Sequence, residues 1–289
     1  MKVYINGKFF TKEDARISVF DHGFLYGDGA FEGIRSYDGS VFKLKEHLDR
    51  LFETMHTLLI QSPLDKKGME KAVVDTLKEN KLKDAYIRLI VTRGDGDLGL
   101  DPRKCRGKAN VVIITDKITL YPQELYKKGM EIITVPTLRN HPEALNPQLK
   151  SLNYLNNILA KIEANNSGYS EAIMMDISGY VAECTGDNIF ILKNGVLSTP
   201  IQGRLKGITR DTVLELARKN GIETNEAWLT RHEIFVAEEC FLTGTAAEII
   251  PVVKVDGRAI GDGLPGKTTL KLIKMFKDIT RKQGVKYAV

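Results

Sequence analysis

Four dipeptides constrain this chain more than any other feature: Asn6-Gly7, Asp38-Gly39, Asn194-Gly195 and Asp256-Gly257, each between strand-like runs. A two-residue hairpin loop that matches strand twist needs positive φ at both positions. Asn and Asp tolerate that conformation and Gly adopts it freely. The spacing therefore predicts type I′ hairpins and abundant antiparallel sheet. Helical patterns are interspersed. Residues 45–60 place Leu48, Leu51, Phe52, Met55, Leu58 and Leu59 at helical spacing, and residues 68–80 and 154–167 read alike, with Gly168 as a C′ residue. Residues 209–220 run from Thr209 as N-cap to Gly221, and a last helix covers 266–283. Strands are expected at Tyr86–Thr92 and Asn110–Thr115. Long antiparallel runs with added helices predict an α+β protein rather than a doubly wound sheet. The expected organisation is a small N-terminal domain over 1–120, an interdomain loop over 121–130 and a larger C-terminal domain over 131–289.

Composition narrows the classes. At 289 residues, 43% hydrophobic and 27% charged, the chain can bury a core in each of two lobes. Its net charge is +5, with the densest basic stretch at Arg103, Lys104, Arg106 and Lys108. No basic stripe interleaved with aromatics accompanies it, so no nucleic-acid partner is expected. The three cysteines, Cys105, Cys184 and Cys240, form no CxxC and the five histidines no metal-ligand spacing, so neither a disulfide framework nor a metal site is expected. With no signal-like start and no 18-residue apolar run, the expectation is a cytoplasmic protein without a membrane partner.

Two motifs invite a nucleotide reading. Gly261-Asp262-Gly263-Leu264-Pro265-Gly266-Lys267-Thr268 matches GxxxxGK[ST]. A P-loop, however, opens a parallel sheet built from downstream strands, and only about one helix remains before Val289. A P-loop NTPase is thus a distant alternative. Gly94-Asp95-Gly96-Asp97-Leu98-Gly99 matches GxGxxG, but Leu100-Asp101-Pro102-Arg103 follows where a dinucleotide site needs a helix.

A different set of motifs supplies the groups that pyridoxal-phosphate amino transfer needs: a lysine, a carboxylate for the pyridine nitrogen, an arginine and helix N-termini for phosphate. Lys150-Ser151-Leu152-Asn153-Tyr154 precedes a helix. Glu183-Cys184-Thr185-Gly186-Asp187-Asn188 follows a strand-turn. Gly207-Ile208-Thr209-Arg210 opens a helix, and Thr243-Gly244-Thr245-Ala246 follows an apolar strand. Nearer the N-terminus lie Asp21-His22-Gly23-Phe24-Leu25-Tyr26, Phe31-Glu32-Gly33-Ile34-Arg35 and Glu46-His47-Leu48-Asp49-Arg50. In this order, from Tyr4 to about Lys267, the chain resembles the class IV (fold type IV) aminotransferases, most closely those acting on branched-chain amino acids. It departs at Asp187-Asn188, where many relatives carry Glu-Asn, and in a short polar segment, Pro200–Lys206.

The resemblance implies a two-lobed fold, pyridoxal 5'-phosphate as cofactor, and transfer between Leu, Ile or Val and 2-oxoglutarate, with amino acids and 2-oxo acids as small-molecule partners. It implies Lys150 as the catalytic Schiff-base lysine and Glu183 facing the pyridine nitrogen. Tyr154 would bind the ring hydroxyl oxygen, and Arg50, Ile208, Thr209 and Thr245 the phosphate. Tyr86 with Thr245 and Ala246 would hold the substrate carboxylate. Phe31, Gly33, Tyr26 and Leu100 would line the side-chain pocket, and Arg88 would meet the distal carboxylate of glutamate. Tyr26 and the Leu100 loop would come from a neighbouring subunit, making a homodimer the smallest active unit. D-amino-acid aminotransferase and aminodeoxychorismate lyase are alternatives on the same fold. Taken singly, each residue has an ordinary reading: Lys150 a surface charge, Arg50 an i−4 partner of Glu46, Thr209 a plain cap, Arg88 a cross-strand partner of an acid.

Overall fold

The computed structural model describes residues 1–105, 107–118 and 120–288; Arg106 of the basic stretch lies outside them. The chain divides into two compact units. The first is Met1–Ile118 with Leu149–Asn153 and Thr280–Val289; the second is Thr119–Gln148 with Tyr154–Ile279. Residues 149–153 and the C-terminal stretch thus belong with the N-terminal unit. The 121–130 stretch, expected as a linker, contains a helix.

The first unit begins with β1 (Lys2–Ile5), β2 (Lys8–Thr11), α1 (His22–Tyr26), β3 (Gly29–Tyr37), β4 (Ser40–Val41), α2 (Leu44–Thr57), α3 (Lys66–Glu79), β5 (Ala85–Thr92) and β6 (Asn110–Asp116). The second carries α4 (Gln123–Lys128), β7 (Met130–Thr134), α5 (Pro142–Leu145), α6 (Leu155–Asn166), β8 (Ala172–Met175), β9 (Val181–Cys184), β10 (Asn188–Lys193), β11 (Val196–Pro200), α7 (Ile208–Lys219), β12 (Glu223–Ala227), α8 (Arg231–Phe235), β13 (Glu239–Gly244), β14 (Glu248–Val255), β15 (Arg258–Ala259) and α9 (Lys267–Thr280). A last strand, β16 (Val285–Lys286), pairs with β4. The first sheet runs β16-β4-β3-β5-β6-β1-β2; the second runs β12-β11-β10-β13-β14-β7-β8-β9, with β15 on β14. Antiparallel pairing dominates, but β11–β12, β14–β7 and β7–β8 are parallel.

All four turn dipeptides have positive φ at both residues, from Asn6 (49°) and Gly7 (89°) to Asp256 (48°) and Gly257 (77°), and each joins adjacent strands. The helical stripe of α2 folds as the sequence predicts through Met55, but the helix ends at Thr57, and Leu59 beyond it has positive φ and is 80% exposed. On α2, Leu44, Leu48, Leu51 and Met55 are all at most 2% exposed and pack in one core with Ile34, Ile87 and Leu89 of the sheet. Burying each such side chain stabilises by roughly 1.5–3 kcal/mol.

Two sequence expectations need correction. The N-cap of α7 is Gly207, not Thr209. Ile208 and Thr209 already have helical geometry, and Thr209 is buried inside the first turn rather than capping it. The ordinary reading of Arg50 also fails: Glu46 pairs with Lys43, and Arg50 goes to Glu32. The GxxxxGK[ST] match has a structural explanation. The amides of Thr268 and Thr269 donate to the Glu239 carboxylate at 3.0 and 2.7 Å, so a side chain of β13 holds the place an anion would take. A Cβ on Gly266 would lie 2.0 Å from Glu239 Cδ, which is why glycine stands there.

Candidate functional site

In the first unit, strand alternation sorts β3 and β5 into two faces. Ala30, Ile34, Ile87 and Leu89 point to the core. Phe31 and Gly33 face the other way with Tyr86 and Arg88, and Gly33 pairs directly with Arg88. A Cβ on Gly33 would come within 2.2 Å of Tyr86 Oη, so the missing side chain is what lets the phenol lie across the strand. Arg88 donates to Tyr86 Oη at 3.2 Å, and its guanidinium sits 4.6 Å from the Phe31 ring centroid.

Lys150 joins this group. Its segment runs beside β3: Phe31 N donates to Lys150 O, and Leu152 N to Gly29 O, both at 3.0 Å. Lys150 Nζ lies 4.6 Å from the same Phe31 centroid. An amine and a guanidinium therefore share one aromatic wall. Cations favour the ring's negative face by about 0.5–2 kcal/mol. The Tyr26 hydroxyl donates to Leu98 O, and Leu100 is 79% exposed.

On the core side of β3, Glu32 is wholly buried and holds Arg50 of α2. Arg50 Nε and a terminal nitrogen donate to its two oxygens at 2.8 and 2.7 Å, while His47 Nδ1 lies 2.7 Å from Oε2. Burial alone would raise the carboxyl pKa; the Arg50 charge and the bonds from His47 and Arg50 outweigh it and bring Glu32 to about 2. Burial pushes His47 down, with the Arg50 and Lys150 charges adding to that, against the opposing pull of Glu32. His47 is thus neutral near pH 7, donating from Nδ1 to the carboxylate. The fork geometry leaves Arg50 fixed in direction as well as charge.

The second unit carries the other expected residues. Tyr154 is the N-cap residue of α6. Glu183, on β9, accepts from Arg139 Nε at 2.7 Å through Oε1, and from Asn188 Nδ2 (3.2 Å) and the Leu205 amide (3.0 Å) through Oε2. Arg139 in turn donates to Asn156 Oδ1 at 3.1 Å. Ile208 and Thr209 open the 12-residue α7, whose Gly207 cap provides no side-chain bond to the first-turn amides. Those amides and the helix dipole suit a phosphate. Asn188 pairs across the sheet with Thr243, whose buried Oγ1 has no hydrogen-bond partner. Thr245 and Ala246 occupy the turn that follows β13.

The expected residues divide between the units, Lys150, Arg50, Phe31, Gly33, Tyr86 and Arg88 in the first, Tyr154, Glu183, Ile208, Thr209, Thr245 and Ala246 in the second. Four supporting residues went unassigned in the sequence: Glu32, His47, Arg139 and Asn188. An acid inside an apolar strand marked Glu32. Arg139 had no signal, because its partner lies 44 residues away. Each unit supplies group types that a phosphorylated aromatic cofactor needs: the first an amine and a guanidinium fixed by a carboxylate, the second an uncapped helix start and a paired carboxylate. Among the described residues no cluster of His, Cys, Asp or Glu suits a metal ion, and no helix is long and apolar enough to cross a membrane.

Known proteins resemble this chain in sequence and fold. The profile of the class IV amino-transferase family matches residues 29–255. A Methanocaldococcus jannaschii protein provisionally named a branched-chain-amino-acid aminotransferase is 56% identical over 99% of both chains. The branched-chain-amino-acid aminotransferase of Pseudomonas aeruginosa is 39% identical over 96% of this chain and 92% of its own. Among solved structures, the Escherichia coli branched-chain amino acid aminotransferase superposes with a TM-score of 0.94 at 34% identity, covering 96% of this chain and 94% of that one. The Thermobaculum terrenum branched-chain amino acid aminotransferase, in its pyridoxal-phosphate holo form, gives 0.88 at 28% identity, covering 97% and 94%.

Proposed function

We propose that this chain, which belongs to the class IV aminotransferase family, moves amino groups between branched-chain L-amino acids and 2-oxoglutarate, with pyridoxal 5'-phosphate as cofactor. The observation that carries the substrate reading is the Phe31 wall, with Lys150 Nζ and the Arg88 guanidinium each 4.6 Å from its centroid. An aliphatic side chain would pack on Phe31 and over Gly33, and the distal carboxylate of glutamate would instead meet Arg88. One pocket then serves apolar and acidic substrates.

When bound, the cofactor supplies an electron sink for the pair left at Cα after proton loss. The chain's residues do the rest. Lys150 would hold the cofactor through Nζ and, once its amine is freed, would take the proton from the substrate Cα. Glu183, oriented by Arg139, Asn188 and the Leu205 amide, would meet the pyridine nitrogen and favour its protonated form. Tyr154 binds the ring hydroxyl oxygen. Arg50, the Ile208 and Thr209 amides and Thr245 hold the phosphate, and Thr245, Ala246 and Tyr86 hold the substrate carboxylate.

The assembly we propose is a homodimer or a higher homo-oligomer, with Tyr26 and the Leu100 loop reaching a neighbouring subunit's site. Exposed apolar residues support it: Val19, Phe20 and Phe24 in the first unit, and Leu155, Ile158, Leu159 and Ile162 along one face of α6. Contiguous exposed apolar surface of this kind marks protein contacts. The proposed location is the cytoplasm.

The test is an absorption spectrum of the purified holoprotein. L-leucine should bleach the visible cofactor band and 2-oxoglutarate should restore it, and Lys150→Ala should abolish both changes. Activity on D-alanine without activity on L-leucine would overturn the substrate reading. Near-normal single-turnover transfer by Lys150→Ala would overturn the assignment of the lysine.

A further inference from the structure

The second unit buries a group of acids that the reaction above does not use. Tyr121, Glu171 and Asp187 are all buried, and the Tyr121 hydroxyl lies 3.2 Å from Glu171 Oε2 and 3.2 Å from Asp187 Oδ2. A phenol has one proton to donate. It can satisfy one carboxylate, and must then accept from the other acid, which only a protonated carboxyl can supply. The arrangement is therefore complete with a single proton on one of the two acids.

Their surroundings decide which acid carries it. Glu171 Oε1 accepts from the Ala172 and Thr185 amides, both at 2.8 Å, and Lys161 of α6 lies 3.8 Å from its other oxygen. Glu171 is thus already supplied with two amide donors on one oxygen and a cation beside the other. Asp187 has neither amide donors nor a cation in hydrogen-bond range among the described residues; besides Tyr121 and Glu171, the titratable groups that act on it are Lys161, more remotely, and Glu183. Cys184, buried at the end of β9, is held in its thiol form by burial and by the same acids.

Asp187 also sits at a junction. Its carbonyl accepts from Cys184 N at 2.8 Å, closing the turn between β9 and β10. Its Oδ1 occupies the place a Cβ on Gly244 would take, 2.0 Å from it, so the carboxyl packs directly on the strand leading to Thr245 and Ala246. The next residue, Asn188, donates to Glu183.

We propose that Asp187 holds a proton on the acid side of neutrality and donates it to Tyr121, which donates to Glu171, and that this chain of bonds positions the Thr185–Asn188 turn so that Asn188 meets Glu183. Asp187 and Tyr121 are positioning residues on this account, acting through Asn188 and Gly244. Burial, then the Glu171 charge, push the Asp187 pKa up to about 7, against the pull of Lys161. Raising the pH through that value ionises Asp187, breaks the donor chain and sets two buried carboxylates against each other. The effect on cofactor holding rests on the function proposed above; the proton on Asp187 does not.

The holoenzyme, Asp187→Asn and Tyr121→Phe are compared by two measurements. The first is infrared difference spectroscopy over a pH titration. The wild type should show a carboxylic-acid C=O band that is lost through about pH 7, absent in Asp187→Asn and moved to higher frequency in Tyr121→Phe, where the acid has lost its acceptor. Identical titrations in wild type and Asp187→Asn would overturn the protonated acid. The second is the pH dependence of pyridoxal-phosphate dissociation. It should quicken through the same pH in the wild type and stay level in Asp187→Asn, whose side-chain amide can still donate to Tyr121. A level wild-type profile with the infrared band present would overturn the positioning role. A protein that binds no cofactor at any pH would sink the proposed function, while the infrared titration would still decide the proton.

Discussion

Glu32 in the first unit and Asp187 in the second are both acids removed from water, at 0% and 5% exposure, yet burial ends differently for each. Desolvation pushes both upward. Glu32 meets a guanidinium fork and an imidazole donor and finishes at about 2; Asp187 meets a second carboxylate and finishes at about 7. The lesson is that burial sets the stakes and neighbours set the sign. In the first unit the charge is needed to aim Arg50. In the second the absence of charge is needed to keep a turn closed.

The largest effect should come from removing the charge of Glu32. Glu32→Gln leaves Arg50 buried, at 9% exposure, without its carboxylate. Breaking a buried pair in this way costs about 3–5 kcal/mol. Urea unfolding of the holoprotein should show a loss of that size, and the variant should also release the cofactor more readily because Arg50 is no longer held. A loss below about 1 kcal/mol, typical of exposed pairs, would show that the fork contributes little.

The two acids should also separate by pH. The folded pKa of Glu32 is depressed, so its contribution is present above the ordinary value of 4.5 and is lost as pH falls from there to about 2. At 1.36 kcal/mol per pKa unit that is about 3 kcal/mol. Asp187 has the opposite sign. Its folded pKa is raised, so the native state holds the extra proton between 3.8 and about 7, and stability falls as pH climbs through that window. Chemical-denaturation curves at a series of pH values should therefore rise, then fall. Glu32→Gln should remove the rise and Asp187→Asn the fall. A variant that removed the other's limb would break the comparison.

A smaller contrast concerns packed glycines. Gly244→Ala drives a Cβ to 2.0 Å from Asp187 Oδ1, and Gly33→Ala drives one to 2.2 Å from Tyr86 Oη. Asp187 is locked in a buried cluster, so overpacking at Gly244 should cost about 1–3 kcal/mol. Tyr86 is half-buried and can swing aside. Gly33→Ala should spare stability and instead move the Tyr86 hydroxyl from Arg88, raising KM for 2-oxoglutarate more than for L-leucine. Thermal melts and initial rates distinguish the two, and equal destabilisation would show Tyr86 to be as fixed as Asp187.

How far the sequence reveals this depends on the range of the interaction. Hairpins and helices were legible because their causes are local: Asn-Gly and Asp-Gly supply positive φ, and the Leu44–Met55 stripe repeats within one helix. Lys150, Glu183 and Arg50 stood out because they lie within contiguous motifs. The partners that aim them did not. Arg139 reaches Glu183 over 44 residues and Tyr121 reaches Asp187 over 66, and no short pattern encodes a bond of that span. The misplaced α7 cap has a local cause as well. Thr is a better side-chain cap than Gly, but at Gly207 a Cβ would lie 2.0 Å from Asn188 Oδ1, so close approach overrode capping preference.

The smallest prediction uses a feature that both units share. Gly7 and Gly257 close type I′ turns with φ of 89° and 77°, and at both a Cβ would meet nothing within 4 Å. Neither position is short of space, so an alanine there meets only the intrinsic penalty of a left-handed L-residue, roughly 1–2 kcal/mol. Gly7→Ala and Gly257→Ala should therefore cost the same, although one turn borders the first sheet and the other the second. Equal losses in urea would establish that the two units differ in how they handle buried charge and not in how they build hairpins. A loss confined to one variant would mean that its turn carries a tertiary role beyond joining two strands, and the contrast between the units would then extend from their acids to their backbones.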